Sequence, residues 1–307
     1  MKIIFAGTPE FAVPSLRGLY EAGHEITVLT QPDKPQGRKG ILTPSPVKSA
    51  AEELGLKVLQ PARLKEDFSD VKAVGAELMV TCAYGQILTQ EVLDLFPKGV
   101  WNVHASLLPK YRGAAPIAQA IISGEEETGV TIMRTDVGLD TGDTFLSAKI
   151  EISPLDTCDA LTGRLSLIGA KLIVEAVDKI SRGDVKLIKQ GEGFVCKKVH
   201  HTEVDFSRSA KEVCSLILGL SSAPLSYATV GGLTLNFFFA QAVDYEGAEP
   251  FGTVLSASPK TGLVIKCGEG AVKIEELQAA GGKRMLARDF LNGRKIQEGM
   301  CFDKPVL

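Results

Sequence analysis

The chain has 307 residues, of which 45% are hydrophobic and 23% are charged, and its formal net charge is −3 at pH 7. These values are ordinary for folded globular proteins and exclude a disordered, collagen-like or fibrous chain. They also exclude a protein that holds nucleic acid by bulk positive charge, so an RNA partner requires a local basic patch or a shaped cleft.

The first part of the chain alternates predicted strands with predicted helices. Short apolar runs that predict strands cover residues 2–6, 25–30, 57–59, 78–81 and 100–103. The predicted helices cover residues 9–22, with Thr8 as the cap, and residues 46–54, 68–74 and 90–95. A loop rich in Pro, Gly, Lys and Arg covers residues 31–45. Such alternation predicts parallel pairing, and ligands then bind at the carboxyl ends of the strands.

The chain changes character after one long predicted helix over residues 156–181. Apolar residues spaced by three or four predict that helix, and they are Leu161, Leu165, Ile168, Leu172, Ala176 and Ile180. A short helix is predicted over 210–220, and strands follow over 233–240, 252–255, 263–266 and 271–277. Short strands separated by Gly, Ser and Pro predict a small β-barrel. We therefore expect a catalytic domain over 1–189, a linker over 190–204 and a second domain over 205–307.

The cysteines and the apolar segments indicate the cellular compartment of the protein. Six cysteines are scattered along the sequence without a C-x-x-C pair, which argues against a zinc site and a disulfide framework. We therefore expect a reduced, cytoplasmic compartment and no metal. No apolar run approaches the roughly 20 residues of a membrane helix. The apolar start is interrupted at Gly7 and Pro9, which favours a strand over a signal peptide.

The residues that carry chemistry cluster around a predicted strand end. Asn102 and His104 are two positions apart, so their side chains leave the strand on the same side. A glycine-punctuated loop over 136–143 holds three aspartates, among them Asp140. Together such groups can run acyl transfer: the amide stabilises an oxyanion, the imidazole shuttles a proton and a carboxylate orients and charges the imidazole.

Each of these residues also has a structural interpretation. His104 can be a hydrogen-bonded histidine at a strand end, and Asn102 can be a turn residue. The aspartate loop can be a solvated turn or a cation site, although no second acidic cluster accompanies it in sequence. The loop over 31–45 can be a solvated, mobile segment.

Several segments resemble the formyltetrahydrofolate-dependent formyltransferase family. The shared motifs are NVHASLLP over 102–109, RGAAPI over 112–117, TGVT over 128–131 and DVGLDTGD over 136–143. More narrowly, the chain resembles the family members that act on an aminoacyl-tRNA. The segments that carry this narrower resemblance are FAGTPEFA over 5–12, TQPDKPQGRK over 30–39 and PSPVK over 44–48. One departure follows the short helix: the family usually carries a Trp between prolines there, whereas the one Trp of this chain is Trp101.

The resemblance implies a fold and a set of site residues. It implies an α/β protein in which a Rossmann-like parallel sheet domain is followed by a small OB-like β-barrel domain. It implies that Asn102, His104 and Asp140 are catalytic. The residues that it implies for folate binding are Ser106, Leu107, Leu108 and Pro109.

The resemblance also implies a reaction and its partners. The expected reaction transfers the formyl group of 10-formyltetrahydrofolate to the α-amino group of methionine on initiator methionyl-tRNA. We expect the basic loop to hold the tRNA through Lys34, Arg38 and Lys39, since a guanidinium can grip phosphate in a bidentate way. We expect a monomer. The alternative is another enzyme using the same donor, namely a sugar-nucleotide formyltransferase or a formyltetrahydrofolate hydrolase. A dehydrogenase is disfavoured because G-x-G-x-x-G is missing after the first strand.

Overall fold

The apolar runs of the first part of the chain form strands in a computed structural model, which describes residues 1–37, 40–293 and 295–305. The strands up to residue 196 are β1 (Lys2–Gly7), β2 (Glu25–Leu29), β3 (Lys34–Gln36), β4 (Ile41–Thr43), β5 (Lys57–Leu59), β6 (Leu78–Cys82), β7 (Val100–His104), β8 (Arg112–Gly113), β9 (Glu127–Arg134), β10 (Thr144–Glu151) and β11 (Val195–Cys196). The helices are α1 (Val13–Glu21), α2 (Pro46–Glu53), α3 (Ser69–Val74), α4 (Gln90–Leu93), α5 (Pro116–Ile122) and α6 (Cys158–Ser181).

Seven of these strands form one sheet in the order β10-β9-β7-β6-β1-β2-β5. The pairs β1–β2, β1–β6, β2–β5 and β6–β7 are parallel, as the alternating sequence predicts. β9 runs antiparallel to β7, so the parallel part ends there, and an antiparallel edge of this kind is common in doubly wound sheets. The carboxyl ends of β1, β6 and β7 therefore meet at one edge. Helix α6 confirms the long predicted helix, and its Leu165 is fully buried.

The predicted helix over 9–22 is wrong at its beginning. A 3-10 turn covers Glu10–Ala12, and α1 begins only at Val13. Pro14 then lies in the first turn of the helix, where a missing N–H costs no hydrogen bond. Thr8 does not cap the helix: its hydroxyl donates to the Tyr84 carbonyl at 2.9 Å. The first βα connection is therefore tied to the end of β6.

The predicted loop over 31–45 contains a short hairpin, β3 paired with β4. Asp33 anchors the start of this segment, because its carboxylate accepts from Lys48 Nζ at 2.7 Å and from Gln60 Nε2 at 2.8 Å. These hydrogen bonds, that of Lys48 first, lower the pKa of Asp33. Three-residue strands carry too few positions for a hydrophobic alternation, which is why the sequence predicts only a loop. Helix α2 follows as predicted, with Ser45 Oγ accepting from Lys48 N.

The described chain divides into two compact units. The first unit comprises Met1–Pro116, Thr128–Ile150 and Thr162–Cys196. The second unit comprises Ile117–Glu127, Glu151–Leu161 and the chain from Lys197 onward. Within the described ranges, none of the helices combines the length and apolar character that crossing a membrane requires.

The second unit is built mainly on antiparallel strands. Its elements after residue 196 are β12 (Thr202–Glu203), α7 (Ala210–Leu220), β13 (Ser226–Val230), β14 (Leu233–Val243), β15 (Val254–Ser258), β16 (Gly262–Lys266), β17 (Ala271–Ala279), β18 (Met285–Leu286) and α8 (Ala287–Leu291). The sheet order is β12-β13-β14-β17-β16-β15, with β18 on β17, and only β12–β13 is parallel. The four strands predicted here are confirmed with small shifts, and no pairing between the described β12 and β15 closes the sheet.

Helix α7 packs on this sheet and begins with a complete capping box. Ser209 Oγ accepts from Glu212 N, and the Glu212 carboxylate accepts from Ser209 N at 3.0 Å. Two of the N–H groups left free at a helix start are thereby paired. The hydrogen bonds from Ser209 lower the pKa of Glu212. On its inner face α7 buries Ile217 in the core that holds Phe237, both fully inaccessible.

The capping box makes a prediction about the stability of the second unit. Replacing Ser209 by Ala should lower the free energy of opening α7 by about 1 kcal/mol, because the hydroxyl that accepts from Glu212 N and donates to the Glu212 carboxylate is lost. Native-state hydrogen exchange of the α7 amides measures this free energy. Ser215→Ala, in the interior of the same helix, is the control and should not weaken it. The folded-state pKa of Glu212 is lowered. The stabilisation that its carboxylate gives to α7 is therefore present above the unfolded-state pKa and is lost as the pH falls through the folded-state pKa. Equal exchange in the two variants would contradict the role of the cap.

Candidate active site

Three segments of the first unit meet at the carboxylate of Asp140. Its Oδ1 accepts from Asn102 Nδ2 at 3.3 Å. Its Oδ2 accepts from Gly113 N at 2.8 Å and lies 3.5 Å from His104 Nδ1. The structure thus brings together Asn102, His104 and Asp140, although Asp140 is 38 positions from Asn102.

The end of β7 sets the direction of two of these side chains. Asn102 and His104 leave the strand on one side, as their spacing predicts. Thr81 lies opposite Asn102 in the register of β6 and β7, and its Oγ1 donates to Asn102 Oδ1 at 2.9 Å. Because this bond occupies the amide oxygen, the amide nitrogen faces Asp140. Thr81 is not among the site residues predicted from the sequence, although a polar residue near the end of an apolar strand is a signal for it.

The ring of His104 is buried and held from both sides. Only 5% of the residue is exposed. Its Nε2 lies 2.9 Å from the Tyr111 carbonyl oxygen, which can only accept, so Nε2 carries a hydrogen. Nδ1 faces Asp140. Both ring nitrogens therefore have acceptor oxygens in front of them.

Backbone conformations that are unusual for side-chain-bearing residues support this site. Asp140 has φ +53° and Tyr111 has φ +57°, and Ala83, just after β6, has φ +50°. A left-handed conformation costs about 1–2 kcal/mol for an L-residue. Residues held in this way are typical of functional sites, where surrounding contacts fix them. Here the held residues supply the Asp140 carboxylate and the carbonyl that meets His104.

The aspartate loop owes its shape to internal hydrogen bonds. Asp136 Oδ1 accepts from Gly138 N at 3.0 Å and from Thr141 Oγ1 at 2.8 Å, so this carboxylate stabilises a turn. An added Cβ at Gly142 would overlap the Arg134 carbonyl, which explains the glycine there. In the described part of the chain, no three His, Cys, Asp or Glu side chains are grouped to hold a metal ion.

The segment implied for folate binding follows directly on β7. Ser106 is fully buried, and its hydroxyl donates to the Lys110 carbonyl at 2.6 Å. Thr131 Oγ1 donates to the Ser106 carbonyl and accepts from Leu108 N, which ties this turn to β9. Leu107, Leu108 and Pro109 are half-buried. The turn is therefore a fixed apolar surface beside His104.

The predicted tRNA-binding residues lie on the β3–β4 segment. Lys34 Nζ donates to Gln31 Oε1 at 2.8 Å. Arg38 and Lys39 lie outside the described residues. On the described part of the hairpin, Ile41 and Leu42 are 63% and 66% exposed. The described part of the hairpin thus exposes two apolar side chains as well as the basic Lys34.

Gln190, which is also not predicted from the sequence, touches the aspartate loop. Its Nε2 donates to the carbonyl oxygens of Asp140 and Gly142, at 3.0 and 2.6 Å. The residue lies 50 positions from Asp140 and at the beginning of the predicted linker. No local pattern in the sequence distinguishes it.

Comparison with known proteins agrees with this geometry. Residues 1–177 match the model of the formyl transferase family, and residues 197–295 match the model of the formyl transferase C-terminal domain. The methionyl-tRNA formyltransferase of Neisseria meningitidis serogroup B is 46% identical over 97% of this chain and 99% of its own. That of Chromobacterium violaceum is 45% identical over 97% and 98%.

Among solved structures, HypX from Aquifex aeolicus in complex with tetrahydrofolic acid shares the fold. It has a TM-score of 0.69 at 18% identity, over 97% of this chain and 48% of its own. The family models and the full-length relatives lead to one conclusion: the chain belongs to the formyl transferase family.

Proposed function

We propose that this protein transfers the formyl group of 10-formyltetrahydrofolate to the α-amino group of methionine on initiator methionyl-tRNA. The product is N-formylmethionyl-tRNA, which is used in translation initiation. The observation that carries the proposal is the convergence of Asn102, His104 and Asp140 at the carboxyl edge of the sheet. The relatives that match over nearly their whole length are named for the same reaction, which favours methionyl-tRNA as the acceptor.

Asn102 and His104 stabilise the charge that develops during the reaction. The methionine amine attacks the formyl carbon, and negative charge gathers on the formyl oxygen. The reference pKa of an α-amine is roughly 7.7–8.0, so a useful neutral fraction exists without a strong base. One of the two N–H groups of Asn102 Nδ2 donates to Asp140, and the other donates to the formyl oxygen. In the proposed step the protonated ring of His104 keeps Nδ1 paired with Asp140, and its Nε2–H turns from the Tyr111 carbonyl to donate to the same oxygen.

His104 also completes the proton balance. As the bond between the formyl carbon and the folate nitrogen breaks, the ring gives its proton to that nitrogen. The ring then takes back the proton that the amine loses on becoming an amide. Asp140 stays ionised and orients the ring throughout, so no net proton is consumed. No metal ion takes part in this sequence of steps.

We propose that the turn after β7 binds the folate. Leu107, Leu108 and Pro109 offer half-buried apolar surface beside His104, and the buried Ser106 shapes the turn through its bond to the Lys110 carbonyl. The folate bound to the structurally similar HypX supports a folate site on this fold.

We further propose how the rest of the chain is organised. The catalytic domain covers 1–189, the linker 190–204 and the second domain 205–307. An OB-like barrel in the second domain is supported by hydrogen bonds of Val254 with residues 299–300 and of Asp303 N with the Thr229 carbonyl, which link β15 and β13 through the end of the described chain. The second domain contacts the tRNA. The protein works as a monomer in the cytoplasm.

A comparison of acceptors tests the proposed function. The formyl-transfer rate with 10-formyltetrahydrofolate is measured on methionyl-tRNA, on uncharged tRNA and on an amino-sugar nucleotide, with formate release followed in parallel. The proposal requires transfer to methionyl-tRNA alone. Transfer to the sugar nucleotide, or formate release without an acceptor, would assign the chain to one of the alternative enzymes.

Asn102 should matter for turnover more than for binding. Asn102→Ala removes one oxyanion donor and is expected to lower kcat by about 10²–10³-fold. Folate affinity should stay near that of the wild type, and equilibrium binding of the folate measures it. If the variant keeps its turnover, Asn102 is a structural residue only.

His104 and Asp140 should act as one unit. His104→Ala and Asp140→Ala each lower kcat, but the double variant should lose little more than the worse single variant. Single-turnover rates of the four proteins measure this coupling. A loss in the double variant equal to the product of the two single losses would show that the residues act independently.

The basic loop should contribute to tRNA use only. Arg38→Ala is expected to raise KM for methionyl-tRNA at low salt and to leave folate affinity unchanged. The difference from wild type should shrink as salt rises, because wild type has one more phosphate contact to lose. Transfer rates against tRNA concentration at two salt levels measure this. Lys72→Ala removes an exposed charge on α3 and serves as the control. If Arg38→Ala has the same KM for methionyl-tRNA as this control at low salt, the loop does not contribute to tRNA binding.

A further inference from the structure

The side-chain amide of Gln190 is fully hydrogen-bonded between two parts of the candidate site. On one side, Nε2 donates to the carbonyls of Asp140 and Gly142. On the other side, Oε1 accepts from Arg112 Nε at 3.0 Å and Arg112 Nη2 at 2.9 Å. Two donors and two acceptor positions are all that a glutamine amide has. A flipped amide would place Oε1 against two carbonyl oxygens, so the orientation is fixed.

The backbone around Gln190 is anchored on both sides. We call residues 188–196 the strap. At its beginning, Ile188 and Thr144 exchange two backbone hydrogen bonds, at 2.8 and 2.9 Å, directly after the aspartate loop. At its end, β11 pairs in parallel with β8, which contains Gly113. The strap therefore connects the aspartate loop with the strand whose Gly113 N donates to Asp140.

Asp140 needs such a restraint. Its φ of +53° lies in the left-handed region, which aspartate tolerates better than most residues with a side chain but which is still less favourable than ordinary backbone, so contacts that hold it matter. Gln190 Nε2 donates to the carbonyl of Asp140 itself and to that of Gly142. These two bonds hold the backbone on both sides of Thr141. Relaxation would turn the carboxylate away from Asn102 and His104.

We propose that Gln190 is a positioning residue for formyl transfer, which holds the backbone of Asp140 so that its carboxylate faces Asn102 and His104. The inference rests on the proposed function. Gln190 does not touch the reacting atoms, and its effect passes through Asp140. Its removal should therefore lower the rate of the chemical step and leave the affinity for both substrates intact.

The test uses Gln190→Glu in the full-length protein. Glutamate keeps the size of the side chain and the contact with Arg112, but it places a carboxylate oxygen where Nε2 donates to two carbonyls. We expect kcat to fall by about 10²-fold, the effect of a displacement near 1 Å, with both KM values unchanged. In an Asp140→Asn background the same substitution should cost nothing further. Gln119→Glu on α5, whose amide bonds only the Ser123 hydroxyl, is the matched control.

A second measurement does not depend on activity. Gly113 N–H donates to Asp140 Oδ2, so its hydrogen exchange should become faster in Gln190→Glu and not in the control. If Gln190→Glu does not fold, Gln190→Asn, one methylene shorter, is used with the same readouts.

The outcomes separate the inference from the proposed function. An unchanged kcat, an equal loss in both backgrounds, or unchanged exchange at Gly113 would overturn the positioning role. A wild-type protein that does not formylate methionyl-tRNA would overturn the proposed function, and the exchange at Gly113 would then decide the positioning role by itself.

Discussion

The arrangement of the candidate site depends on one carboxylate that three separate segments share. Asp140 accepts from the Asn102 amide and the Gly113 backbone, and it faces the His104 ring. Among the hydrogen bonds and ion pairs of the described residues, those of Asp140 reach both side chains that leave β7. A carboxylate at this point orients both the amide and the imidazole, the two groups that we propose as donors in acyl transfer to an amine. The left-handed backbone of Asp140 is a cost of that placement.

In the proposed function, chemistry and tRNA recognition lie on different kinds of element. The residues proposed as donors lie on β7, a largely buried strand between the parallel β6 and the antiparallel β9, so their positions are rigid. The residues proposed for the tRNA lie on an excursion between β2 and α2, anchored at its beginning by Asp33. This division suits a reaction between a small donor and a large acceptor, since catalysis needs fixed geometry and a macromolecule needs a separate contact surface.

The sequence predicts the parts of this structure that follow local rules. The two-residue spacing of Asn102 and His104 predicts a common direction, and the apolar spacing over 156–181 predicts α6. Contacts between distant segments leave no such pattern. Gln190 reaches Asp140 across 50 positions, so nothing near it in sequence distinguishes it from a linker residue. The predicted start of α1 is wrong for a related reason. The Thr8 hydroxyl donates to the carbonyl of Tyr84, which is distant in sequence, and does not cap the helix.

The most direct test of the account identifies the bond that the protein forms. The protein is incubated with 10-formyltetrahydrofolate carrying an isotopic label in the formyl group, together with methionyl-tRNA. The amino acid is then released from the tRNA by mild base and analysed by mass spectrometry. The account predicts labelled N-formylmethionine, with label on the α-nitrogen and none released as formate. Label found only in formate, with methionine recovered unmodified, would contradict it.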